Sequence, residues 1–127
     1  ERLMVEVFVE NPLAFNECMD SEIIWREDPG AYFKHRQNAV MHLNQEEASE
    51  YIDLASWIVK IQEQYENQVH NRIIDLISLE GMAKSSQYGI NAYPAVVIDH
   101  HLVYNAHSLE DASEQIATIL SRITEFP

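Results

Sequence analysis

The stretch Gln87-Tyr-Gly-Ile-Asn-Ala-Tyr-Pro-Ala-Val-Val-Ile-Asp-His-His-Leu-Val-Tyr104 decides how the rest of the chain is read. Gly89 can take a positive φ and so close a helix. Pro94 has no backbone N–H to give to a sheet, which places it just before a strand rather than inside one. Ala95-Val96-Val97-Ile98 is a short unbroken apolar run, as expected of a central strand covered on both faces. Asp99-His100-His101 is polar and turn-forming, and Leu102-Val103-Tyr104 then reads as the antiparallel return.

Tyr88-Gly-Ile followed by Pro94-Ala-Val-Val-Ile-Asp99 and Leu102-Val103 resembles the C-terminal half of thioredoxin-fold proteins. The likeness covers roughly residues 83–123, with a weaker echo at the first strand. Its flavour is that of secreted bacterial thioredoxin-like proteins, including ones encoded on integrating conjugative elements. The resemblance implies an α/β domain with a central mixed sheet flanked by helices. It also implies a cis peptide bond between Tyr93 and Pro94, and a docking edge there for a protein or extended peptide. The family's Cys-x-x-Cys is absent, so the resemblance carries the fold but not the dithiol reaction.

Composition bounds the alternatives. With 127 residues the chain is expected to form one domain, residues 1–127, able to bury a core without staples. The net charge of −13 argues against nucleic acid and anionic membrane surfaces, both of which would repel it. The acidic residues are scattered, so they read as a solubilising surface, with a basic partner as the sharper alternative. No apolar run approaches the roughly 20 residues of a membrane span. The chain begins at Glu1 rather than Met, which points to a processed or trimmed N-terminus. The resemblance places the protein in the periplasm or outside the cell.

Leu3-Met-Val-Glu-Val-Phe-Val-Glu10 sets Val5, Val7 and Val9 on one face and reads as the first strand, stopped by Asn11-Pro12. Residues 13–25 allow a short helix. Residues 31–43 fit either a helix or the second parallel strand, near residues 39–43. Asn44 with Glu47 forms a capping box, and Tyr51, Leu54, Ala55, Ile58 and Ile61 mark one helical face. Tyr65, Val69, Ile73, Leu76 and Ile77 continue at helical spacing. A single helix over residues 45–87 would be roughly 63 Å long, too long for a domain about 35–40 Å across. A break between Lys60 and Gln68 is therefore expected. The result is an enlarged helical segment between the second and third strands. Ser108 and Asp111 announce a last helix whose stripe is Leu109, Ala112, Ile116, Ile119, Leu120 and Ile123.

The chain's single cysteine rules out an intramolecular disulfide and any zinc site built on several cysteines. Cys18-Met-Asp-Ser21 can be read as a monothiol site, in which a thiolate at a helix N-terminus exchanges with a partner disulfide. The inert core cysteine is the favoured reading, since Glu17 and Asp20 flank it and no cation lies within four residues. His100, His101 and His107 with Asp99 invite a metal reading, but adjacent histidines in a strand point to opposite faces. His35, His42 and His70 have no ligand-like spacing, and no metal or other cofactor is expected. Tyr51, Trp57, Tyr65 and Trp25 have the spacing of core aromatics. Tyr93, Pro94 and Phe15 are the expected binding residues. The functional expectation is a non-redox protein-binding or assembly module, which the resemblance sets in bacterial conjugative transfer; the alternative is a monothiol exchange enzyme or isomerase using Cys18.

Overall fold

The computed structural model describes residues 2–27 and 45–125. They form β1 (Leu3–Val9), α1 (Pro12–Glu27), α2 (Gln45–Tyr65), β2 (Val69–Asp75), α3 (Leu79–Tyr88), β3 (Ala95–Ile98), β4 (Leu102–Asn105) and α4 (Leu109–Glu125). The sheet runs β2-β1-β3-β4, with β1 parallel to β2 and antiparallel to β3, and β3 antiparallel to β4. It is a mixed α/β fold.

Strand β1 lies between two partners and is covered on both faces. Val5, Val7 and Val9 pack with Val96 and Ile98 under α1, α2 and α4. On the opposite face Phe8, Ala95, Val97 and Ile74 meet Tyr88 from α3, with Ile90 and Tyr93 alongside. Three helices therefore share one face of the sheet, and α3 covers the other.

The local signals around β3 act as the sequence indicates. Gly89 sits at φ 68° and ends α3, while the Ile90 N–H bonds Ser85 O at 2.9 Å. All four residues of β3 are buried. The bond between Tyr93 and Pro94 is cis. At the far end Asp99 and His100 take φ values of 54° and 63°, and His101 N–H closes the turn on Ile98 O.

The second strand requires a correction. Residues 69–77 do not continue a helix: Val69–Asp75 is β2, and Leu3 pairs with Val69 through to Val9 with Asp75. Helix α2 ends at Tyr65, followed by a 3₁₀ turn over Glu66–Gln68 in which Glu66 takes φ 43°. The break thus falls inside the expected interval. Beyond it, Val69, Ile73 and Ile74 are β-branched and lose rotamer freedom in a helix, whereas they fit a pleated strand beside β1. The enlarged helical segment therefore precedes the second strand, and only α3 lies between β2 and β3. Residues 31–43 and Asn44, where a strand or helix and a cap were expected, lie outside the described residues.

Helix α2 buries Tyr51, Leu54, Ala55, Ile58 and Ile61, and Trp57 donates its indole N–H to Ser113 Oγ on α4 at 2.7 Å. Tyr65 is half-buried against the same core. Helix α4 buries Ala112, Ile116 and Leu120, whereas Ile123 is exposed. The Trp25 side chain lies outside the description.

Candidate functional site

The C-terminal end of β1 gathers several chain segments. Because β3 runs antiparallel to β1, its first residues lie beside the last residues of β1, and Phe8 pairs with Ala95. Asn11 caps the helix that follows, its Oδ1 accepting the Ala14 N–H at 3.1 Å. Pro12 opens that helix, where its missing N–H costs nothing.

A cleft of about 210 Å³ lies here, lined by Glu10, Glu46, Glu47, Glu50, Tyr51, Tyr93 and Pro94. Glu46 and Glu50 also line a groove of about 470 Å³ with Ser49, Asp53, Ala106 and His107. Carboxylates from β1's end and from the first turns of α2 thus edge an aromatic and prolyl surface. Tyr93 is half-buried against the Phe8 cluster, and Pro94 is buried.

Tyr51 ties the cleft to the core. Its hydroxyl accepts the Asn11 N–H at 3.0 Å, and its ring meets Phe15 edge-on with centroids 5.4 Å apart. Burial raises its phenol above the ordinary value, and the Glu47 and Glu10 carboxylates push the same way against the Asn11 hydrogen bond. Tyr51, itself 1% exposed, therefore keeps a neutral hydroxyl beneath the acidic groups.

Two expected site residues are elsewhere. Phe15 is fully buried, so it supports Tyr51 from beneath and offers no surface to a partner. Cys18 is only 3% exposed and sits past the first turn of α1, within the main core. It is not at the helix N-terminus, where the unsatisfied N–H groups would stabilise a thiolate. The i, i+3 spacing of Phe15 and Cys18 beside Ala14 is the sequence signal for that inward stripe.

A polar cluster on the other face was not anticipated. Glu6, at the middle of β1, is 1% exposed. Its Oε2 takes Lys84 Nζ at 2.5 Å, and its Oε1 takes the Tyr88 hydroxyl at 3.0 Å. His100 Nδ1 lies 3.3 Å from both Glu6 Oε1 and the Tyr88 oxygen. With the Tyr88 hydrogen on Glu6, both neighbours offer lone pairs, so His100 Nδ1 is the donor. Lys84 also reaches Glu80 at 3.2 Å, and Glu80 pairs with Arg72 through both guanidinium nitrogens. The cluster fastens α3 and the β3–β4 turn to the sheet.

Among the described residues, no group of three or more His, Cys, Asp or Glu side chains is arranged to hold a metal ion, and no helix is long and apolar enough to cross a membrane. His70, His100, His101 and His107 are exposed, whereas His35 and His42 lie outside the described residues. Compared with family models, curated proteins and solved structures, the chain gives no significant match.

Proposed function

We propose that this chain is a thioredoxin-like domain working as a non-redox protein-binding or assembly module, which takes an extended, basic segment of a partner protein at the Tyr93–Pro94 cleft. The observation that carries this reading is the cleft itself, where Glu10, Glu46, Glu47 and Glu50 surround Tyr51, Tyr93 and Pro94. A lysine or arginine can lay its aliphatic stem on the half-buried Tyr93 ring and its charged head among the carboxylates. The acidic groove continuing past Asp53 suits a segment several residues long. The strand order and the disposition of helices support the thioredoxin-like assignment. A location outside the cytoplasm, within conjugative-transfer machinery, is carried by the sequence resemblance and belongs to the same proposal.

The monothiol alternative needs an accessible thiolate, and the burial of Cys18 favours the binding reading over it. The test is fluorescence anisotropy with a labelled lysine- and arginine-rich extended peptide at low and high salt. Tyr93→Ala is expected to weaken binding by about 1–3 kcal/mol, and affinity is expected to fall as salt rises. Equal affinities for wild type, Tyr93→Ala and Glu47→Gln/Glu50→Gln, in variants whose circular dichroism is unchanged, would place the binding site elsewhere.

A further inference from the structure

Helix α3 is mounted with its polar side inward. Gly81 lies so close to the end of β2 that an added Cβ would stand 2.0 Å from the Asp75 carbonyl oxygen, which fixes how the helix is rotated. That rotation turns Lys84 and Tyr88 onto Glu6. It leaves Leu79 and Met82 outside, 84% and 54% exposed, with Ile77 of the preceding turn 74% exposed. Ala83 and Ser86 are exposed as well. Leu79, Met82, Ala83 and Ser86 follow the i, i+3, i+4, i+7 spacing of one helical stripe, which helices ordinarily bury.

We infer that this outward face of α3 is a self-association surface, on which a second copy of the chain packs antiparallel about a two-fold axis near Met82 and Ala83. Charge argues for a second copy as the occupant. The chain carries −13 overall, so most ways of bringing two copies together are repulsive. At α3, Arg72 and Lys84 offset Glu80 and Glu6 charge for charge. Asp75, which accepts the Ile77 N–H, adds one carboxylate, so the face carries far less charge than the chain as a whole, and its rim carries both signs on half-exposed Arg72 and Glu80. An isologous interface requires a patch that complements itself, and a rim of paired opposite charges around an apolar centre does so. The small side chains of Ala83 and Ser86 allow the two helices to approach to about 8–10 Å between axes, with Leu79 of each covering them.

Sedimentation velocity over about 10 µM to 1 mM protein, a range suited to a weak interface, tests the inference. The wild type is expected to move from monomer to dimer across that range, and more readily in high salt, which screens the overall repulsion. Leu79→Asp/Met82→Asp is expected to remain monomeric throughout. Leu13→Asp, which changes an exposed leucine on α1, should dimerise like the wild type. A wild-type chain that stays monomeric, including one whose α3 face captures an unrelated protein, would overturn the inference. A dimer indifferent to the α3 substitutions would do the same.

Discussion

Lys84 reaches from helix α3 to within 2.5 Å of Glu6, a carboxylate at the centre of the sheet that is 1% exposed. A charge so placed is tolerated only because its oxygens are occupied by an ammonium, a phenol and an imidazole. Half-removing such a pair costs more than removing all of it.

Lys84→Met is accordingly expected to lower stability by about 2–3 kcal/mol in urea melts, since it strips the charge partner from a buried carboxylate. The double variant Glu6→Gln/Lys84→Met should recover part of that loss. A double variant no better than the sum of its singles would show that the two residues act independently.

The same cluster sets the behaviour of the fold in alkali. The bond to Glu6, followed by Glu80, raises Lys84 above its ordinary value. Burial raises Tyr88, and its bond to Glu6 adds to this. Both groups hold their protons more tightly folded than unfolded. Their contribution is present below the unfolded values, near 10, and is lost as pH climbs through the folded ones. Stability should therefore fall above about pH 10, with a shallower slope in Lys84→Met/Tyr88→Phe. Some slope should remain, because Tyr51 and Tyr104 are also raised by burial. Melting temperatures read across pH 8–11.5, a span of roughly a unit and more either side of those values, measure it.

Gly81→Ala puts two effects in opposition. In an exposed helix the change would gain about 0.5–1 kcal/mol. Here the new methyl would stand 2.0 Å from Asp75 O and 2.9 Å from Leu76 O, both backbone atoms that cannot swing aside. Helix α3 would have to lift from the sheet, and a net loss of about 1–3 kcal/mol is expected in denaturant melts. A stabilised Gly81→Ala variant would refute the close approach.

The hairpin of β3 and β4 was readable because each of its signals has one meaning. A proline excludes the strand interior, a glycine permits positive φ, and four consecutive apolar residues require cover on both sides. Residues 69–77 gave no such unique reading. Val69, Ile73, Leu76 and Ile77 satisfy a helical period, and only pairing with β1, distant in sequence, makes Val69–Asp75 a strand. Phe15 carried an inward signal in its i, i+3 spacing with Cys18 beside Ala14, and that signal outweighs its place near the proline loop. Glu6 was hidden because Val5, Val7 and Val9 already accounted for β1, and the burial of its other face comes from α3. The glutamates of the cleft could not be chosen from sequence, for Glu10 meets Glu46, Glu47 and Glu50 only once α2 is laid beside β1.

The position of β1 has a consequence during synthesis. Its partners are Val69–Asp75 and Ala95–Ile98, so this inner strand is made well before either of the strands that flank it. At about 5–20 residues per second, the nascent strand waits for several seconds before β2 exists. Five of its seven residues are Leu, Val or Phe, the composition that seeks any available edge. Glu6 interrupts that run with a charge which mispairing would have to desolvate without Lys84, Tyr88 or His100 at hand. The carboxylate that the finished fold must accommodate thus guards the strand while the ribosome is still at work.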